Sequence, residues 1–257
     1  MAVKFYSMKV KFEKSNMRQL IVNYRKSIKI LPALGIWFLL SYGVVLGQSQ
    51  LYVNLIAGDY AMKDLKGIHA NLEKVYLTEI NLPVTSSYIF PKSLQGALTY
   101  KYEMEKTAIG GYLNYAMTGS KLYYGDYSGF TSVEQKVRRV SMGVYGSVDI
   151  YKSIQIYGKL GGNISYLNMV FQTYLGQTRA EYENMSFNSK GLSFEPGVAW
   201  TNVYRRFTYE IHAGYEVNYQ FTTKYNYNKD TYLMYNGRKA RIDWSGLRLG
   251  IGIGMPI

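Results

Sequence analysis

The chain has 257 residues, room for one sizeable domain or two small ones, with 28 tyrosines, 25 glycines and no cysteine. The missing cysteine excludes a disulfide framework, a cysteine nucleophile, cysteine metal sites and a lipid anchor on an N-terminal cysteine. The formal charge of +13 suggests a polyanion partner, yet residues 1–47 hold eight Lys/Arg against the single acid Glu13. That segment supplies +7, leaving +6 for the rest, so nucleic-acid binding is not expected.

In chain order, the basic stretch is followed by the uncharged run Ile30–Leu46 and by Gly47. A basic region, an apolar region and a small-residue exit describe a secretory signal peptide over 1–47, cleaved to leave Gln48. A membrane anchor helix is the competing reading of the same run, which is of marginal spanning length. Met17 offers an alternative start that would shorten the basic region to an ordinary size. No second apolar run of spanning length follows, which excludes a bundle of membrane helices.

From Leu51 onward the hydrophobic period is two. Phe207–Phe221 shows it plainly: odd positions are apolar or aromatic, and even ones polar or glycine. Seven further segments alternate likewise, centred on Leu51–Ala57, Leu94–Tyr102, Ile109–Met117, Val140–Ile150, Ile154–Tyr166, Leu192–Trp200 and Leu247–Met255. Short polar turns are expected around Glu103–Lys106, Tyr151–Ser153 and Tyr204–Arg206. Long loops are expected over 59–92, 119–136, 172–190 and 222–238. This short–long alternation with eight strands predicts an all-β fold, an eight-stranded antiparallel up-and-down transmembrane β-barrel occupying 48–257.

A soluble barrel alternates too, with its apolar face inward. Here the polar face is made of small residues, such as Ser141, Gly143, Ser147, Gly161, Asn163, Gly250, Gly252 and Gly254, rather than of Lys and Glu. Small polar residues suit the cramped interior of eight strands, and tyrosines and Trp200 recur near strand ends as membrane girdles do. The expected location is the outer membrane, with its lipid and the barrel-assembly machinery as partners and no cofactor or metal.

Parity turns Glu210, His212, Glu216 and Asn218 inward, together with Arg139, Asp149, Lys159, Glu195 and Arg248 from other strands. Charges inside a narrow barrel must pair, so a network of salt bridges is expected. It either plugs the lumen or lines a path for a small solute with His212 as a proton-sensitive gate. The His212–glutamate cluster could do acid–base chemistry, but no serine stands at a recognisable nucleophile position, and no enzyme is expected.

In the first long loop, Met62, Leu65, Ile68 (or His69), Leu72, Val75 and Tyr76 recur at helical spacing with Asp59 as a candidate N-cap, predicting an amphipathic helix that ends before Pro83. It would serve as a lid on the rim or as a gate entering the lumen. The fourth loop is rich in Tyr, Asn and Lys, which suits either recognition or an extended wet hairpin. The second loop carries Thr118-Gly119-Ser120-Lys121-Leu122-Tyr123-Tyr124-Gly125-Asp126-Tyr127-Ser128-Gly129. That string resembles one in small, porin-like outer-membrane β-barrel proteins of the Bacteroidota type, as do the helical first loop and its Leu82-Pro83-Val84-Thr85 exit. The resemblance implies the barrel fold and an outer-membrane location; it brings no assigned activity, ligand or catalytic residue. The ending Met255-Pro256-Ile257 departs from the aromatic terminus of many such barrels. Two functions follow as expectations: a structural or surface-binding barrel with a largely plugged lumen, or a minor porin for small or amphipathic solutes gated by the first-loop helix.

Overall fold

The structure, a computed structural model, describes residues 48–127, 129–175, 182–228 and 230–257. The expected signal segment 1–47 and its cleavage point lie outside the described residues.

Twelve strands and one helix are described. They are β1 (Gln48–Gly58), α1 (Lys63–Thr78), β2 (Thr85–Ile89), β3 (Ser93–Glu103), β4 (Thr107–Asp126), β5 (Gly129–Tyr151), β6 (Ile154–Leu175), β7 (Tyr182–Tyr204), β8 (Phe207–Gln220), β9 (Lys224–Tyr225), β10 (Met234–Tyr235), β11 (Arg238–Lys239) and β12 (Gly246–Pro256). Eight of them close a ring of antiparallel pairs in the order β1, β3, β4, β5, β6, β7, β8, β12 and back to β1. These are the eight strands read from the alternation. Closure leaves no open edge in the ring, which a strand structure in lipid requires.

Three short turns join the ring at one end, at 104–106, 152–153 and 205–206. The last two are two-residue hairpin loops whose first residues, Lys152 and Arg205, have positive φ of 36° and 57°. Such turns need a left-handed backbone there to match the strand twist.

Alternation decides the faces. On β8 the even residues Thr208, Glu210, His212, Glu216, Asn218 and Gln220 are buried, while Ile211, Tyr215, Val217 and Tyr219 are about half exposed. The same division runs round the ring, with Leu94 at 65% and Leu160 at 57% exposure on the outer face. The outward apolar run on β6, from Ile154 to Ile164, spans roughly 25 Å of membrane at the strand rise and tilt usual for such barrels.

Two long connections differ from expectation. Residues 119–136 and most of 172–190 are not loops but continuations of β4, β5, β6 and β7, which run to 20, 23, 22 and 23 residues. Their hydrophobic phase inverts. Within the band β5 points Val140, Met142 and Val144 outward; further out it points Val137 and Val133 inward and Arg138, Lys136 and Glu134 outward. Both halves are regular strand, but the apolar face changes sides, so the pattern breaks where the strand does not.

The inverted face encloses a second core. Above the polar lumen, Ala116, Val137, Leu167, Met169 and Phe187 from the long strands meet Tyr60, Met62 and Leu65 from the first loop and Ile242 and Trp244 from the fourth. Helix α1 covers this core with Leu65, Ile68 and Leu72, as its spacing predicted. Its N-cap is not Asp59 but Met62, in the left-handed region (φ 44°) with no side-chain cap. Asp59 instead stays with the barrel, its N–H bonded to the Leu247 carbonyl at 3.1 Å. Strand β2 pairs with the outer part of β4 and β9 with the outer part of β7, extending the wall sideways beyond the ring.

Candidate functional site

The lumen holds the charged residues that parity turned inward, in two groups. Nearer the short turns, the Lys101 ammonium pairs with Glu210. It lies 4.0 Å from the centre of the Tyr52 ring and 4.6 Å from that of Tyr145. His212 Nδ1 stands 3.3 Å from Glu210 Oε1 but is not aligned with it as a hydrogen bond. Beside them Lys159 Nζ donates to Glu195 Oε1 at 3.0 Å, and Tyr157 Oη donates to the same oxygen at 2.9 Å. Aromatic faces and carboxylates thus replace the water that these cations lose.

The second group sits directly beneath the apolar core. Glu216 is gripped from both sides: Arg139 donates through both terminal nitrogens, one at 3.0 Å, and Arg248 through Nε at 3.2 Å and Nη2 at 2.9 Å. Both arginines also reach upward. Arg139 lies 4.8 Å from the centre of the Trp244 ring, and Arg248 lies 4.5 Å from that of Tyr60. Arg248 Nη2 donates to the Trp244 carbonyl at 2.5 Å, and Nη1 to the Asp59 carbonyl at 3.4 Å. Trp244 Nε1 in turn donates to Ser165 Oγ at 2.8 Å, and the Trp244 and Tyr60 rings meet edge to face at 4.7 Å.

Glycines of β12 make room for this packing. A Cβ on Gly250 would collide with the His212 ring, and one on Gly252 with the Asn54 side chain. The alternate glycines at the C-terminal end are therefore the floor on which large polar groups of the neighbouring strands lie flat.

Of the eight predicted lumen residues, Arg139, Lys159, Glu195, Glu210, His212, Glu216 and Arg248 are brought into these two groups. Asp149 is not: it is only partly buried, faces the short-turn end, and takes part in none of the ion pairs among the described residues. Lys101 was not anticipated, although it shares the inward parity of Ala97 and Thr99 on β3. Tyr60 and Trp244 carried no periodic signal, since both lie between strands.

The other histidine is the one held by serines. His69 of α1 is buried, with Nδ1 3.1 Å from Ser120 Oγ on β4 and Nε2 3.0 Å from Ser86 Oγ on β2, and Ser86 donates to Glu73 at 3.1 Å. Ser120 is fully buried beneath the helix, which makes the arrangement a latch on α1 rather than an accessible nucleophile. Burial pushes the His69 pKa below the ordinary histidine value, against a smaller opposite pull from Glu73. Among the described residues no cluster of His, Asp and Glu has metal-site geometry.

A closed ring of eight strands, a continuous apolar outer band and a charged, paired interior define the class: this chain is a transmembrane β-barrel of the outer membrane. No protein family matches the chain by sequence, and no curated protein does either. Several solved structures are similar to it. Ail, the attachment invasion locus protein of Yersinia pestis, is 16% identical, with 83% of this chain and 100% of that one covered and a TM-score of 0.40. OprG of Pseudomonas aeruginosa is 13% identical over 82% of this chain and 96% of its own, with a TM-score of 0.40. A major outer membrane protein of Thermus thermophilus is 11% identical over 81% and 99%, with a TM-score of 0.45. No residue's role is carried over from them.

Proposed function

We propose that this barrel is a non-conducting surface protein that is closed from within and works through its external wall and loops. The observation that supports this is the apolar core of Tyr60, Met62, Leu65, Val137, Leu167 and Trp244, which lies across the lumen above the Arg139–Glu216–Arg248 group. Charge pairs fill the narrow interior, and hydrocarbon covers its external mouth. Purified protein in planar bilayers should show no stable conductance steps, and stable steps from the intact chain would refute the reading.

A second reading draws on a different observation. Several buried side-chain atoms in the lumen, among them Gln135 Nε2, Asn163 Nδ2 and His212 Nε2, have no protein partner among the described residues. Such groups suit a hydrated column, and α1 would then be the gate of a channel for small or amphipathic solutes. Removal of 60–82 tests it: conductance appearing only in the deleted protein favours the gate, and continued silence favours the closed barrel.

Two further points complete the proposal. Residues 1–47 direct export and are removed. The Thr118–Gly129 string, whose residues up to Asp126 run along the outer part of β4 and whose Gly129 opens β5, supports kinship with small outer-membrane barrels of the Bacteroidota type.

A further inference from the structure

The outer face of the long strands becomes aromatic again where neither lipid nor core calls for it. Past the apolar band, β5 turns Arg138, Lys136 and Glu134 outward before it reaches Phe130, roughly 20 Å beyond Arg138 at the usual strand rise and tilt. That charged belt parts Phe130 from the interfacial girdle, so the membrane does not account for its exposure. Register puts Tyr123 of β4 and Tyr174 of β6 on the same face, since Gly125 pairs with Phe130 and Phe130 with Tyr174. Tyr182 of β7, opposite Gln172, carries the face onto a fourth strand.

The rings pave this face instead of standing up from it. Tyr123 lies down along its own strand: a Cβ on Gly125 would run into the hydroxyl and Cζ of that ring and would stand 3.2 Å from its Cε1. The Phe130 ring centre is 6.4 Å from that of Tyr123 with the planes 23° apart, and the Tyr174 centre is 5.9 Å from that of Phe130 with the planes 15° apart. Tyr123, Phe130 and Tyr174 are 41%, 37% and 42% exposed, as rings with one face on the sheet and the other in water are. Ser132 shares the face, directly opposite Tyr123, yet is only 7% exposed, because the paving covers it.

The border of the paving is polar and electrically balanced. Glu134 is held by Lys136 at 2.9 Å and by the Tyr88 hydroxyl at 3.1 Å, and Asp126 accepts from the Tyr124 hydroxyl at 2.6 Å. Lys121 stands 5.7 Å from the centre of the Tyr123 ring. Lys121 and Lys136 are thus matched by Glu134 and Asp126. The hydroxyls of Tyr123, Tyr174 and Tyr182 have no hydrogen-bond partner among the described residues.

We infer that this paved face binds a neutral, flat polysaccharide from outside the cell, a β-1,4-linked chain of pyranose rings. Aromatic faces carry negative potential and attract C–H groups. A pyranose with equatorial substituents shows C–H groups on its broad faces and hydroxyls round its rim, which the free tyrosine hydroxyls would meet. A β-1,4 linkage keeps successive sugars in one ribbon that can lie across adjacent near-parallel rings, whereas an α-1,4 linkage curls the chain away. A protein anchor fills a pocket, and a row of flat rings is a poor match for one. The inference deepens the reading of the external wall as the working part of the barrel, and it holds whether or not the lumen conducts.

The test is calorimetric titration of protein purified from outer membranes and held in lipid nanodiscs, with the β-1,4-linked glucose hexamer and its α-1,4-linked isomer as probes. The β-linked hexamer should bind at least tenfold more tightly than the α-linked one. Phe130→Leu, which stays apolar but loses the ring face, should weaken it at least tenfold, Phe130→Trp should stay within threefold, and Tyr227→Leu in the fourth loop should change nothing. No binding of the β-linked hexamer at millimolar concentration, equal binding of its isomer, or an unchanged Phe130→Leu overturns the inference. Self-association lost in Phe130→Leu, with no affinity for the hexamer, would assign the face to protein contact and overturn it too. If Phe130→Leu loses its heat-dependent gel mobility, Tyr174→Leu decides by the same criteria. Conductance is recorded separately, so a channel with sugar affinity and a closed barrel without it are distinct results.

Discussion

Replacing Glu216 by Gln tests the packing of the barrel interior at its most demanding point. The carboxylate receives both arginines of the upper group, Arg139 and Arg248, and each of the three side chains is at most 4% exposed. A glutamine keeps the shape but removes the only negative charge bonded to either guanidinium among the described residues. Two cations then face each other in a confined interior. Breaking a buried pair by deleting one partner costs about 3–5 kcal/mol, because the charge left behind has lost its water and gained nothing. At about 1.4 kcal/mol per tenfold, the folded population falls by a factor of about one hundred to a few thousand relative to the unfolded one. Reversible urea unfolding in lipid vesicles, followed by gel mobility and tryptophan fluorescence, measures this. A control separates lost charge from lost shape: with Arg139→Met and Arg248→Met added to Glu216→Met, most of the loss should return, since apolar residues replace buried ion pairs at little cost. A Glu216→Gln protein within about 1 kcal/mol of the parent would refute the reasoning and show that the lumen is wet enough to screen bare arginines.

Arg205→Gly should stabilise the barrel by about 0.5–1 kcal/mol in the same assay, since Arg205 holds φ at 57°, where a glycine carries no side-chain penalty. His69 makes α1 acid-sensitive. Its pKa is lower in the folded than in the unfolded chain, so its contribution is full above the unfolded value and is lost as pH falls through the folded one. Amide exchange in α1 should therefore quicken between about pH 7.5 and pH 5. His69→Gln should flatten that response, and an unchanged pH dependence in the variant would remove His69 as its source. N-terminal sequencing of protein recovered from the outer membrane should begin at Gln48.

The eight barrel strands were legible because lipid outside and a packed polar lumen inside impose opposite chemistry on alternate residues. Where those two environments end, legibility ends too. Beyond Val140 the outer face of β5 meets water and the inner face meets the apolar core, so Arg138 and Lys136 point outward where valines did before. A period-two reading in fixed phase takes that crossing for the end of a strand, and 119–136 looks like loop. The amphipathic helix survived this difficulty because its whole length faces one core, so its 3.6-residue period keeps a single phase. Most of the lumen network was legible by parity, with Asp149 the exception, and Lys101 follows the same rule. Trp244 and Tyr60 could not be found that way. They leave the strand rhythm altogether, and their importance arises from where the two longest inter-strand excursions of the ring meet, which is a property of closure rather than of local sequence.

The lumen network and the external core are one mechanical unit. Arg139 and Arg248 each have one side on Glu216 and the other on the ring or carbonyl of a core residue, and Trp244 is tied to the wall a second time through Ser165. Lifting α1 alone would take away Leu65 and its partners but leave Trp244 and Tyr60, which belong to the chain beside β12 and β1, in place over the lumen. A gate in this barrel therefore has to move both excursions and release two arginines from their aromatic faces at the same time. A lid attached only by hydrocarbon could open by small steps. One bonded through Arg248 to the charge pairs below it opens, if at all, in a single cooperative event. That is why the conductance of the 60–82 deletion and the stability of Glu216→Gln bear on the same question: the first removes the first-loop half of the cover, Tyr60 included, and the second loosens what holds the Trp244 half.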